Sequence, residues 1–196
     1  MSPGARAWVA FAALLGTLAV AATASAHPAP IDLDWQPALA WREPWRAWTA
    51  AAVHLSTLHL AANLAGVLVV AALGVAAGVP AAAAWAWFVA WPLTQFGLVW
   101  RPDLAHYGGL SGVLHAGVAI VAVYLVASGP GRPRRIGLAI AAGLVAKVLL
   151  EAPWGAAVVH PAGWDIGIAP FAHACGTLAG FACALIARAT TDSSTA

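Results

Sequence analysis

Charged residues are scarce in this sequence and make up 8% of its 196 residues, against about a quarter in an average soluble protein. Hydrophobic residues make up 62%, and the mean hydropathy is +0.83. A chain with so little polar surface cannot cover a soluble fold, so the composition predicts an all-α membrane protein. We expect residues 1–196 to form a single membrane domain.

Basic clusters and disulfide-forming cysteines are also lacking. The net charge is only +2, and no stretch combines clustered Lys and Arg with stacking aromatic residues, which argues against a nucleic-acid partner. The two cysteines, Cys175 and Cys183, fall in one predicted helix, about 12 Å apart along its axis and too far for a disulfide. We interpret them as packing residues.

Six apolar runs can cross a lipid bilayer as helices, which takes about 20 residues each. They lie at about 8–24, 58–78, 81–100, 109–127, 136–150 and 171–188. With both termini in the cytoplasm, five arginines face the cytoplasm and three face the outer side, as the positive-inside rule favours. The strongest basic element is the Gly-Arg-Pro-Arg-Arg run at 131–135. The sequence therefore predicts a six-transmembrane-helix bundle with an N-in/C-in topology.

The first apolar run has a second interpretation, because it also has the features of a signal peptide. Arg6 precedes it, and Ala24-Ser25-Ala26 forms a small-residue cleavage pattern before His27. Cleavage there would leave five spans in the same orientation.

Two other segments are predicted to lie outside the bilayer core. The first loop, 27–48, contains four tryptophans, a residue type that favours the water–lipid interface, so we expect this loop to be interfacial. The tail, 189–196, is polar and is predicted to be disordered.

Four polar residues are predicted to share one layer near the outer surface. His59 and Asn63 lie near the start of the second run, Ser111 near the start of the fourth, and His173 near the start of the sixth. In the topology above, these three runs all begin on the outer side, so the four residues would lie within about 10 Å of it. Polar residues at membrane depth are costly and therefore indicate a functional site.

Ser111 and His173 are the candidates for nucleophilic catalysis. Ser111 lies in the run Gly-Gly-Leu-Ser-Gly at 108–112, where glycines allow an irregular turn and the close approach of a substrate backbone. The same glycine spacing is also typical of tight helix packing. His173 precedes the small-residue pair Gly176 and Gly180, which would bring its helix close to that of Ser111. Neither helix carries an acid near this depth, so we expect a Ser–His dyad.

Other residues near the same layer have several interpretations. His59 and Asn63 are i and i+4 on one helix face and could donate to an oxyanion, or they could form an interhelical hydrogen-bond cluster. His115 is a rival base, although a direct bond to Ser111 within one helix is awkward. Lys147 and Glu151, also i and i+4, are expected to form an ion pair without a catalytic role.

A metal site built from the histidines of the outer side is a further alternative. The sequence has no H-E-x-x-H helix, and no carboxylate joins this group. We therefore expect neither a metal nor another cofactor. The histidines considered are His54, His59, His106, His115 and His173.

Three motifs in this order resemble the rhomboid family of intramembrane serine proteases. The segment from Trp45-Arg46 through Thr49, His54 and His59 to Asn63 is similar to the rhomboid first loop and second helix. The run Gly109-Leu110-Ser111-Gly112 resembles the nucleophile motif, and Ala172-His173-x-x-Gly176 resembles the base motif. The short chain and the run Gly-Leu-Ser-Gly-Val-Leu-His at 109–115 look most like rhombosortases.

The resemblance implies a role for each matching position. Ser111 would be the nucleophile and His173 the general base. His59, Asn63 and the backbone N–H of Ser111 would form the oxyanion hole, with Gly109 and Leu110 beside it. Supporting positions would be His54, His115 and Gly176, with Trp45 and Arg46 anchoring the first loop. One departure is Ala50, where some rhomboids carry a further histidine.

The resemblance also implies a cellular setting. The first span would be retained, because a rhomboid core uses it. The protein would lie in a bacterial inner membrane with its site toward the periplasm. Its substrates would be membrane-anchored proteins with helix-breaking glycines near the outer face, above all C-terminal Gly-Gly sorting tails. Two alternatives are a rhomboid-like protein that binds membrane clients without cleaving them, and a histidine-rich metal-binding or transport protein.

Overall fold

The computed structural model describes residues 1–25 and 31–193. Over this part of the chain it is all-helical, as predicted, with two isolated β-bridges and no β-strand. The α-helices are α1 (Pro3–Ser25), α2 (Arg46–Thr49), α3 (Thr57–Ala77), α4 (Ala81–Phe96), α5 (Ser111–Val126), α6 (Arg132–Leu150) and α7 (Pro170–Ser193). Short 3-10 helices lie at Pro37–Leu39, Ala50–Ala52 and Gly97–Trp100.

Each of the six predicted apolar runs is helical, but the helices differ in their capacity to cross a membrane. Four are long and apolar enough: Pro3–Ser25, Thr57–Ala77, Ala81–Trp100 and Pro170–Thr190. α5 is apolar but has only 16 residues, which span about 24 Å of a hydrocarbon core about 30 Å thick. α6 is less apolar because its first turn carries three arginines. The six-span count and the orientation therefore remain predictions.

α5 lies at the centre of the bundle, in contact with α3, α4, α6 and α7. Its closest neighbour is α7, because small residues remove the side chains that would separate the two helices. A Cβ on Gly176 would overlap the carbonyl oxygen of Gly112, and one on Gly180 would overlap that of Ala116. The predicted close contact between these helices is confirmed, and it brings the beginnings of α5 and α7 together.

α1 packs into the bundle against α3 and α4. Trp8 is fully buried, its ring stacks on Trp87 at 4.4 Å, and its indole N–H donates to the carbonyl of Val70 at 2.9 Å. α1 therefore contributes to the core. The possible cleavage position, between Ala26 and His27, lies outside the described residues.

The first loop, described from Ile31 onward, is held in its conformation by a buried arginine. Arg46 donates to the backbone carbonyls of Ile31 and Asp34 at 2.8 and 3.0 Å, and it pairs with the carboxylates of Asp34 and Glu43. Trp45, the other residue expected to anchor the loop, is about half exposed.

Trp35 and the end of α7 differ from what the composition of their segments suggests. Trp35 is fully buried and its ring packs on Phe96 at 5.1 Å, whereas Trp41, Trp45 and Trp48 are exposed, so the interfacial position of the first loop stays a prediction. The tail predicted to be disordered is helical as far as Ser193, since no glycine or proline stops α7. Residues 194–196 lie outside the described part of the chain.

Candidate active site

Ser111 is the first residue of α5, directly after a turn that requires glycine. Gly109 has a φ of 124° and its N–H donates to the carbonyl of Ala50 at 2.9 Å. A side chain on Gly109 would be strained, and its Cβ would lie 2.6 Å from Nε2 of His59. Because the first N–H groups of a helix have no intrahelical partner, the turn leaves donors beside the Ser111 hydroxyl.

His173 lies in the first turn of α7, and its Nε2 is 3.0 Å from Oγ of Ser111. The imidazole is buried, with 7% of its side chain exposed. This distance is a hydrogen bond, as the pairing of a serine nucleophile with a base requires. The contact follows from the close approach of α5 and α7 described above.

The second nitrogen of His173 also has a partner. Nδ1 lies 2.7 Å from Oε2 of Glu151, the residue that directly follows α6. Oε1 of Glu151 is 2.6 Å from Nζ of Lys147. The predicted Lys147–Glu151 pair is thus confirmed. The expectation that no acid contacts His173 is wrong, because it considered acids only on the helices of Ser111 and His173.

The Glu151 carboxyl is ionised at neutral pH. Partial burial alone would raise its pKa, but the hydrogen bonds and positive charges of His173 and Lys147 outweigh this and lower the pKa to about 2. The group therefore accepts both hydrogen bonds as a carboxylate.

His115 contacts the site without facing the serine hydroxyl. Its Nδ1 donates to the backbone carbonyl of Ser111 at 2.6 Å, and its ring stacks on that of His173 with 4.2 Å between centroids. Because the Ser111 hydroxyl bonds His173, the geometry favours His173 over His115 as the base. The stacking also limits how the His173 ring can rotate.

His59 and Asn63 face the turn that precedes Ser111. A Cβ on Gly109 would lie 2.6 Å from Nε2 of His59 and 3.7 Å from Nδ2 of Asn63. Nδ1 of His59 accepts from the N–H of Leu55 at 3.4 Å, which assigns the proton of the neutral ring to Nε2. Both residues thus present N–H donors toward the start of α5, where an oxyanion could be bound.

His54 supports His59 from the loop before α3. Its ring lies 4.8 Å from that of His59, and its Nδ1 donates to the carbonyl of Ala52 at 3.1 Å. Burial lowers the pKa of His54, and the hydrogen bond to Ala52 opposes this only in part. His54 is therefore held neutral.

Tyr107 is a site residue that sequence reasoning missed. Its ring is buried and lines the same cavity as Ser111 and His173. Burial raises the pKa of the Tyr107 phenol, so the hydroxyl keeps its proton at neutral pH. No spacing rule identifies it, since its position depends on the backbone pairing with Trp35.

A cavity of about 920 Å³ opens beside these residues. It lies between α3, α5 and α6, and the segment 158–169 borders it on one side. Apart from the polar residues near Ser111, its lining is mostly apolar; representative residues are Val69, Val118, Ile140, Leu144, Trp164 and Ile168. The cavity joins the polar layer to the apolar middle of the bundle.

One group of side chains in the described part of the chain could hold a metal ion. The ligand atoms of His115, Glu151 and His173 lie within 4.8 Å of one another. This group contains two of the five histidines considered in the sequence, and the expectation that no carboxylate joins them is wrong because Glu151 does. Within it, His173 is hydrogen-bonded to the Ser111 hydroxyl, an arrangement that suits proton transfer.

The geometry agrees with a comparison to protein families. The family model described as the Rhomboid domain matches residues 41–190, well over half of the chain. The match begins in the first loop and includes every residue of the site described here. A comparison with curated proteins found no match.

Proposed function

Because this chain belongs to the rhomboid family, whose members are generally intramembrane serine proteases, we propose that it is a serine endopeptidase that cleaves membrane-anchored proteins. Family members act on membrane proteins within the bilayer, and this chain is a multi-pass membrane protein. The observation that carries the proposal is the 3.0 Å hydrogen bond between Oγ of Ser111 and Nε2 of His173.

In the proposed reaction, Ser111 attacks a peptide carbonyl while Nε2 of His173 takes the hydroxyl proton. The carbonyl oxygen becomes an oxyanion that accepts from the backbone N–H of Ser111, Nε2–H of His59 and Nδ2–H of Asn63. The C–N bond then breaks, and His173 returns the proton to the leaving amine. Water releases the acyl group from Ser111 by the same steps.

The cavity supports a substrate that has left the helical state. A transmembrane helix keeps its carbonyls in backbone hydrogen bonds, so a scissile bond becomes accessible only after local unwinding. Two adjacent glycines lower the cost of unwinding by about 2 kcal/mol relative to alanines. We therefore propose Gly-Gly-containing tails, which the similarity of residues 109–115 to rhombosortases also favours.

The proposed location is a bacterial inner membrane with the site toward the periplasm. The arginines at 132, 134 and 135 begin α6 at the end of the bundle opposite Glu151. If this basic end lies in the cytoplasm, the start of α5 lies near the outer face.

Cleavage of a membrane-tethered reporter tests the proposed function. A reporter with a Gly-Gly sequence before a transmembrane tail is coexpressed with the wild type, with Ser111→Ala and with Ser128→Ala. Ser128 lies just beyond the other end of α5 and donates to the carbonyl of Tyr124, so it is a matched control. We expect cleavage by the wild type and by Ser128→Ala only.

Each other result has a distinct meaning. Cleavage by Ser111→Ala would show that Ser111 is not the nucleophile. If the wild type does not cleave this reporter but reacts with a fluorophosphonate at Ser111, the protein is a protease for a different substrate. If it does neither, the client-binding alternative is favoured.

A further inference from the structure

The side chain of Glu151 joins two helices at the site. It extends from the end of α6 to Nδ1 of His173, on the first turn of α7, at 2.7 Å. The chain turns sharply at the next residue, Ala152, whose φ of 49° is rarely adopted by a residue with a side chain. A left-handed residue at this position ends the helix, so Glu151 lies where the chain leaves α6.

The hydrogen bond determines which nitrogen of His173 can accept a proton. A carboxylate only accepts, so Nδ1 of the neutral ring carries the proton and the lone pair of Nε2 faces the Ser111 hydroxyl. We propose that Glu151 is a positioning residue for the base, so that the reaction runs on a Ser111–His173–Glu151 triad and not on a dyad. The inference rests on the proposed protease function.

The proton movements in this triad are balanced. The hydroxyl proton of Ser111 moves to Nε2, and the imidazolium formed is stabilised by the carboxylate, which stays ionised. Nδ1 keeps its proton throughout. The proton on Nε2 then passes to the amine that leaves, so Glu151 acts through His173 and does not touch the substrate.

Lys147 allows the positioning role to be separated from a purely structural ion pair. Its ammonium holds Oε1 of Glu151 and leaves Oε2 for His173. Without Lys147, the carboxyl loses one of the groups that lower its pKa, but its ordinary value of 4.5 still leaves it ionised at neutral pH. Glu151 can therefore orient His173 in a variant that lacks the ion pair.

The rate of fluorophosphonate labelling at Ser111 tests the inference in the full-length protein. The variants are Glu151→Gln, which keeps the shape but removes the charge, and Lys147→Gln, which removes the ion pair but keeps the acid. We expect labelling to slow at least about 10-fold in Glu151→Gln; the loss in a triad with a fully buried acid is about 10⁴-fold, whereas 29% of the Glu151 side chain is exposed. The labelling rate of Lys147→Gln should stay within about 3-fold of the wild-type rate, because losing a partly exposed ion pair changes the free energy little.

The pH profile of labelling adds a readout that a structural role would not change. The titratable groups around His173 are His115 from α5, Lys147 and Glu151 from α6, and Tyr107 from the loop before α5. Removing the negative charge of Glu151 makes the imidazolium less favourable. The acidic limb of the profile should therefore move to lower pH in Glu151→Gln and keep its position if Glu151 only stabilises the fold.

Rescue with a small acid covers the case in which a variant folds poorly. In Glu151→Ala, added formate can occupy the position of the missing carboxylate, which is partly open to solvent. We expect formate, but not chloride, to restore labelling in a saturable manner.

The failure of this inference is distinguishable from the failure of the proposed function. A labelled wild type with equal rates in Glu151→Gln would overturn the triad and leave the protease proposal standing. Equal losses in Glu151→Gln and Lys147→Gln, with no rescue by formate, would assign Glu151 to structure alone. A folded wild type that labels no faster than Ser111→Ala would overturn both proposals.

Discussion

Asn63 is a residue whose proposed role is confined to the transition state. Its amide donates to the carbonyl of His59 in its own helix at 3.2 Å, and it faces the turn before Ser111. Replacing Asn63 with alanine should lower kcat about 10²-fold, the usual effect of losing one oxyanion donor, with little change in KM. Steady-state kinetics on the reporter would check this, and an unchanged kcat would remove Asn63 from the oxyanion hole.

His54 makes the stability of the protein depend on pH. Burial holds its pKa below the ordinary value of 6.5, so below that pH the unfolded chain binds a proton that the folded chain does not. The stability contributed by neutral His54 is therefore present above pH 6.5 and is lost as the pH falls toward its folded pKa. His54→Gln removes this titration, so its unfolding temperature in detergent should fall less than that of the wild type between about pH 7.5 and about pH 5. Equal falls in the two proteins would contradict this.

Much of the site could be predicted from single residues, because the sequence has few polar groups at membrane depth. Ser111, His173, His59 and Asn63 were identified in this way, and the structure brings these four together. For Glu151 the sequence predicted only the ion pair with Lys147, because i,i+4 spacing predicts contacts within a single helix. Its second contact depends on how α6 packs beside α7, which no local spacing specifies.

At the scale of elements, the contact between α5 and α7 depends on the absence of a side chain. Gly176→Ala should destabilise the protein by about 1–3 kcal/mol, the usual cost of overpacking, because the new methyl group would overlap the backbone of Gly112. Gly143→Ala is the matched control, since its Cβ would meet no atom within 4 Å, and alanine favours the helix. Thermal unfolding in detergent compares them, and equal unfolding temperatures would show that α5 and α7 can move apart at no cost.

The helices were predictable because apolar runs in a chain this hydrophobic are long and continuous. The ends of the helices and the loops were less predictable. α7 continues through residues predicted to be disordered. Trp35 is buried although its loop has the composition of an interfacial segment. In both cases the outcome depends on contacts or helix propagation beyond the local pattern.

At the scale of the whole molecule, the predicted topology can be tested directly. A reporter that works only in the cytoplasm should be active when it is fused in the α5–α6 connection at 127–131. A reporter that works only outside the cytoplasm should be active when it is fused in the α6–α7 connection at 152–169. This follows from the positive-inside rule applied to the basic start of α6. The opposite pattern would place the Ser111 end of the bundle at the cytoplasmic face.

The length of α5 has a consequence for the lipids around the protein. Its 16 residues span about 24 Å, so in a hydrocarbon layer about 30 Å thick the depths of its two ends inside the lipid boundaries add up to about 6 Å. Hydrophobic mismatch changes with acyl-chain length, and bilayer thickness thus sets how far water must travel to reach Ser111. Under the proposed function, the acyl intermediate should be hydrolysed faster in thin bilayers than in thick ones, so the lipid composition of a membrane would act as a rate control.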